Sequence, residues 1–170
     1  MAKLINFEVV KLPKVIIIGK EIKHRFDLMM KGDNPIPAFW GKCFEENVFG
    51  ILEAQKDFIY NADYVGVMCD FTKGDGEFSY IIGMIMKEGA TVPDGFRAFV
   101  IEEGDVGIGY VKGEELDVSM NAHRLTEEAI KNINRSNHNM EWFMELYNCP
   151  RWTDADQDGH RTMDYYIPLD

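Results

Sequence analysis

Glu145 has unusual neighbours for a carboxylate: in Phe143-Met-Glu-Leu-Tyr147 it lies between two aromatics at alternate positions. A strand turns successive side chains to opposite faces. Met140 to Asn148 therefore divides into Trp142, Met144 and Leu146 on one face, and Glu141, Phe143, Glu145 and Tyr147 on the other. The first set reads as ordinary core. A carboxylate held among rings and away from water costs several kcal/mol unless it is paired or protonated. The second face therefore either meets water or lines a cavity made for a cationic or hydrogen-bonding guest.

Other residues with chemical potential fall short of a site. Asp154-Ala-Asp-Gln-Asp-Gly159 is like the first half of a calcium loop, but the twelfth position, where a bidentate Glu belongs, is Tyr165. It reads as a solvated acidic turn, and no metal is assigned. His24, His123, His138 and His160 are scattered, without triad-like or metal-like neighbours, so no catalytic residue is assigned. Gly104, Gly107 and Gly109 do not precede a helix and cannot form a phosphate loop. Cys43, Cys69 and Cys149 form no CxxC and read as reduced thiols. No cofactor is implied.

A chain of 170 residues, 46% apolar and 12% aromatic, fits one globular domain, 1–170. Its formal charge of −11 and pI near 4.8 oppose direct nucleic-acid binding, which needs a basic face. The same charge suits cationic ligands or a basic protein partner. With no signal-like h-region and no apolar run of membrane-spanning length, the expectation is a cytoplasmic protein with no membrane association.

The elements that must position Glu145 follow from periodicity. Residues 7–12 and 14–22 are β-branched runs flanking Pro13, one bent strand or two short ones. Ile36, Phe39, Trp40, Cys43, Phe44 and Val48 space an amphipathic helix from Ile36 to about Val48, capped by Asp33 or Asn34, with stop signals at Asn47–Gly50 and an extension towards Lys56 left open. Strands follow at Tyr64–Phe71 and Phe78–Met86, joined by a hairpin signal at 73–76, then at Phe96–Ile101 and Val106–Val111. A second helix runs from about Ser119 to Arg135. The Glu145 strand and a last strand, Thr162–Leu169, complete the chain. The order repeats. Leu12–Gly19 and Glu103–Tyr110 share an interruption followed by an apolar run, 91 residues apart. The predicted fold is α+β: duplicated strand-helix-strand-strand repeats (about 5–88 and 95–170) forming an antiparallel sheet, two helices on one face, and a ligand groove at the pseudo-twofold axis.

On these residues the chain resembles the GyrI-like small-molecule-binding domain, the effector-binding domain of AraC/MerR-type bacterial transcription regulators. The resemblance is carried by Phe-Glu-Val-Val-Lys-Leu-Pro (7–13), Ile-Pro-Ala-Phe-Trp (36–40), Tyr-Val-Gly-Val-Met-Cys-Asp-Phe (64–71) and Phe-Ser-Tyr-Ile-Ile-Gly (78–83). Phe-Met-Glu-Leu-Tyr (143–147) and Asp-Tyr-Tyr-Ile-Pro-Leu (164–169) complete it, in this order over nearly the whole chain. It implies that Glu145 projects into an aromatic pocket for lipophilic cations, with Tyr147 beside it. Cation–π contacts there are worth ~0.5–2 kcal/mol each. Glu145 is then expected to have a raised pKa or to keep water beside it. Phe143, Trp40, Tyr64, Tyr80, Trp152 and Tyr165 are the further candidate lining residues. Where many relatives carry a Trp pair on the second helix, this chain has His123, Leu125 and Ile133. No stretch is left for the DNA-binding region found in many relatives, so a standalone domain is expected.

The first reading is thus a multidrug-type binding module for lipophilic, cationic or aromatic small molecules. The alternative from the same resemblance is a hydrolase of strained cyclopropyl compounds using Glu145 as base; a second carboxylate or tyrosine opposite Glu145 would favour it. A third is an acidic, gyrase-inhibitor-like module meeting a basic protein partner such as a topoisomerase. Neither the oligomeric state nor the ligand is specified by the sequence.

Overall fold

The computed structural model describes residues 1–72, 74–137, 141–147 and 150–170; His138, Met140, Asn148 and Cys149 lie outside the described residues. The chain forms two compact units: a continuous one, Lys14–Glu102, and a split one made of Met1–Pro13 with Glu103–Asp170. Both are α+β, with strands in antiparallel ladders and helices packed on them.

In the continuous unit, β2 (Val15–Arg25), β3 (Ile59–Cys69), β4 (Glu77–Met86) and β5 (Arg97–Ile101) lie in the order β3-β4-β2-β5. In the split unit, β1 (Lys3–Leu12), β6 (Gly104–Gly113), β7 (Trp142–Tyr147) and β8 (Arg161–Pro168) lie in the order β7-β8-β6-β1. The two orders are the same pattern. Each bent strand of the sequence is two strands in different units: β1 runs to Pro13 and pairs with β6, while β2 begins after it and pairs with β4 and β5. The sequence-based repeats of 5–88 and 95–170 divide the chain differently. Pro13 has no N–H with which to extend the β1 ladder, and each edge strand completes the other repeat's sheet.

The helices depart from the expected pair in detail. A short α1 (Phe26–Met29) follows β2 directly. The predicted first helix is α2 (Ile36–Glu45); Asn47, at the start of the predicted stop, adopts the left-handed conformation (φ 55°), and the extension left open beyond it is a separate α3 (Val48–Glu53). The N-cap position of α2 is Pro35 rather than the predicted Asp33 or Asn34, and Asn34 Oδ1 accepts the Ile36 N–H from just before it. A 3-10 turn at Lys56–Phe58 leads into β3. Helix α4 begins earlier than expected, at Glu115, and ends at Asn132. Its start is tied down by Asp117, which accepts from the Ala2 N–H and pairs with the chain's first amine.

Helix α4 lies very close to its sheet, and two glycines of β6 are the reason. A Cβ on Gly107 would stand 3.0 Å from Ile130 Cγ1, and one on Gly109 would stand 2.1 Å from Thr126 Oγ1 and 2.9 Å from Thr126 Cβ. The bare strand is the seat of the helix. In the continuous unit, α2 and α3 close a core in which Ile18, Cys43, Leu52, Phe78 and Ile82 are buried.

Candidate functional site

In the split unit, β7 presents Phe143, Glu145 and Tyr147 on one face. Glu145 pairs in register with Tyr165 of β8, which pairs in turn with Gly109 of β6. Because Gly109 is the seat of α4, this face is the helix-covered one, and α4 brings His123 onto it. His123 Nδ1 lies 3.2 Å from the Tyr165 hydroxyl, and its ring stands edge-on to Phe143 (centroids 4.4 Å) and to Tyr165 (5.6 Å). Phe143 and Tyr165 are buried, while Glu145 and Tyr147 are half-buried. Tyr147 OH donates to Glu145 Oε2 at 2.9 Å, and its ring meets Trp152 edge-on at 5.1 Å.

The electrostatics follow from burial. Loss of water pushes the His123 pKa below its usual value, so the imidazole is neutral at neutral pH. Burial, then the Glu145 charge, holds the Tyr165 phenol protonated well above its usual range. The face that carries Glu145 therefore holds a neutral imidazole and a neutral phenol, at His123 and Tyr165. Such a surround can accept a cation or hold a carboxylate as a base.

Trp152 comes from the loop before β8, and that loop is pinned by arginines. Arg151 pairs at 2.9 Å with Asp164, a buried carboxylate on the opposite face of β8, and its guanidinium lies 5.4 Å over the Tyr110 ring. Arg161 donates to the carbonyls of Trp152 and Thr153, and the Thr162 N–H donates to the Arg151 carbonyl. Sequence reasoning did not find Arg151, Asp164 or Arg161, and it noted His123 only as a departure. The available signal was a charged residue, Asp164, between apolar and aromatic neighbours inside a strand.

The acidic loop does not carry a calcium-loop arrangement. Asp156, Asp158 and His160 offer ligand atoms within 4.8 Å of one another. Asp156 is already engaged: Oδ1 accepts the Asp158 and His160 N–H groups, and Oδ2 lies 2.6 Å from the Lys112 ammonium. The Lys112 hydrogen bond, with the backbone donors, holds the Asp156 pKa near 2. A cation there would meet the Lys112 charge at the same carboxylate.

Trp40, Tyr64 and Tyr80 gather in the continuous unit. Trp40 Nε1 donates to the buried Tyr80 hydroxyl at 3.3 Å. Tyr64 stacks on Phe49 with centroids 3.7 Å apart and donates to Glu53 Oε1 at 2.6 Å. Burial, with that carboxylate, pushes the Tyr64 pKa up to about 12. Trp40 stacks against the other side of the group, 6.0 Å from Phe49. Of the eight candidate lining residues, five belong to the split unit and three to the continuous one.

Comparison with solved structures gives the same fold. SAV2435, solved bound to tetraphenylphosphonium, matches with a TM-score of 0.70 at 13% identity, over 98% of this chain and 94% of that one. A Staphylococcus aureus MU50 protein assigned to bacterial transcription regulation matches at 0.68 and 15%, over 96% and 97%. A Listeria innocua hydrolase matches at 0.51 and 12%, over 96% and 91%. At such identities the likeness establishes the fold. No curated protein sequence matches the chain. Among the described residues no helix is long and apolar enough to cross a membrane. The model of the GyrI-like small-molecule binding domain matches residues 5–170, and this chain belongs to that family.

Proposed function

We propose that the split unit captures lipophilic, cationic or aromatic compounds at Glu145, as a cytoplasmic effector-sensing or sequestering domain of the transcription-regulator type. The observation that carries this reading is a half-buried carboxylate that accepts from Tyr147 and lies opposite Tyr165 on the face that carries Phe143, with Trp152 packed on Tyr147 and a neutral His123 packed on Phe143 and Tyr165. The tetraphenylphosphonium held by SAV2435 is a guest of this class. Phe143 and Tyr165 are too buried to meet a guest without rearrangement, so entry proceeds past the half-buried Tyr147 and Trp152. The experiment is a thermal-shift panel of aryl cations and neutral aromatics of matched size. A guest at 100 times its Kd stabilises by ~2.7 kcal/mol. Stabilisation by cations in preference to neutral compounds supports the reading; equal or absent response overturns it.

One observation favours hydrolysis as a second reading: Tyr165 lies directly opposite Glu145, with Tyr147 donating to the same carboxylate. Glu145 would take a proton from water as the oxygen attacks a strained electrophilic carbon, and a tyrosine hydroxyl would protonate the departing carbon or oxygen. The Listeria relative is a hydrolase. Mass detection of a product 18 Da heavier, a gain of about one water, after incubation with cyclopropyl electrophiles would separate turnover from binding.

A further inference from the structure

The internal repeat places a second carboxylate–phenol pair in the continuous unit. In the split unit the register runs from Gly109 to Tyr165 to Glu145. Moved back by the 91-residue offset of the repeat, Gly109 becomes Ile18, and Ile18 pairs with Met84, which pairs with Tyr64. Tyr64 therefore stands on β3 where Glu145 stands on β7. The chemical roles are exchanged. In one unit the strand supplies the carboxylate, which accepts from Tyr147; in the other the strand supplies the phenol, which donates to Glu53 at the end of α3.

The helix break builds the surround of this pair. The left-handed Asn47 turns the chain between α2 and α3, and Gly50 leaves room for it: a Cβ there would lie 2.3 Å from Asn47 Oδ1. Phe44 from α2 and Phe49 from α3 consequently converge on Tyr64, with centroids 5.1 Å apart and 6.2 and 3.7 Å from the tyrosine. Trp40 adds a fourth ring, 6.2 Å from Phe44. Phe44 is 58% exposed. Glu53 is exposed and held towards the rings by the Tyr64 hydroxyl. Burial and Glu53 keep Tyr64 a protonated donor.

We propose that Glu53 is a second cation anchor, taking delocalised or quaternary organic cations against Tyr64 and Phe44. A carboxylate held by the half-buried Tyr64 beside the exposed Phe44 ring favours such a guest by charge and by the ring quadrupoles together. The inference extends to the continuous unit the chemistry proposed for Glu145, and its test does not depend on that site.

The test is isothermal titration of the full chain with tetraphenylphosphonium and with neutral triphenylphosphine oxide. The proteins are wild type, Glu53→Gln, Phe44→Ala, Glu145→Gln and the Glu53/Glu145 double variant. The expected result is that Glu53→Gln weakens the cation roughly fivefold or more, in both the wild-type and Glu145→Gln backgrounds, and leaves the neutral compound within about twofold. Phe44→Ala should weaken both compounds. Glu53 is exposed, so its variant should keep the wild-type melting temperature. A change below about twofold for the cation, or an equal loss for both compounds, overturns the proposal. If only Glu145→Gln matters, Glu53 is not an anchor; if only Glu53→Gln matters, the Glu145 reading fails and this one stands.

Discussion

Replacing Gly109 by Ala tests whether a bare strand is what lets α4 deliver His123 to the site. The added Cβ would stand 2.1 Å from Thr126 Oγ1, 2.9 Å from its Cβ and 3.0 Å from its Cγ2. Rotating Thr126 moves Oγ1 and Cγ2 but leaves its Cβ in place, and the residue is fully buried with Oγ1 donating to the Ala122 carbonyl. The helix must therefore lift by several tenths of an ångström. Overpacking of this kind costs about 1–3 kcal/mol, and here the upper end is expected because backbone has to move. For a chain of this size each kcal/mol lowers the melting temperature by roughly 2–4 °C. Circular-dichroism melts of Gly109→Ala should thus fall by roughly 6–12 °C at the upper end of that range. Thr126→Ala in the same background should restore part of the loss, a coupling of about 1 kcal/mol or more. A Gly109→Ala loss below about 0.5 kcal/mol, or strict additivity with Thr126→Ala, would refute the seating argument.

Three further outcomes follow from the same geometry. The folded pKa of His123 lies below its unfolded value because of burial, so the unfolded state binds the extra proton first; stability is present above about pH 6.5 and is lost as pH falls through the folded pKa. Melts from about pH 7.5 to 5 should show a smaller acid loss for His123→Gln than for wild type, and equal slopes would contradict it. Arg151→Met leaves Asp164 buried beside a lost cation and should cost about 1–3 kcal/mol, less than a fully buried pair because Arg151 is 52% exposed; it should also shift the fluorescence of Trp152. Unchanged stability and emission would exclude the pinning role. Calcium at ~1 mM should leave the melting temperature unchanged, since the Lys112 ammonium holds Asp156; a shift abolished by Asp158→Asn would reverse that conclusion.

The ladder of strands was legible because alternation and β-branching are local, as at Phe78–Met86 and Thr162–Leu169. The 91-residue offset carried information about register as well as about repetition. The exchange of β1 and β5 was not legible, since local pattern does not say which partner an edge strand chooses. The stop signals at Asn47–Gly50 marked the break after α2, but α3 beyond it was left open because Val48, Phe49 and Leu52 continue an apolar helical spacing across the break. Gly107 and Gly109 were recognised only as a failed phosphate loop; two glycines at alternate strand positions also signal close approach of another element. Glu145 was singled out by its aromatic neighbours in sequence, whereas His123 reaches Phe143 and Tyr165 from α4 through tertiary packing that spacing cannot report.

The most direct test of the account is the affinity of tetraphenylphosphonium for wild type and Glu145→Gln, measured by titration at fixed salt with melting temperatures in parallel. The amide preserves shape and can still accept from Tyr147, so only the charge is removed. The account predicts a variant that folds as wild type does and binds the cation roughly tenfold or more weakly, while a neutral aryl compound is unaffected. Equal cation affinity in the two proteins would mean that Glu145 anchors no cation, and the central claim would be wrong.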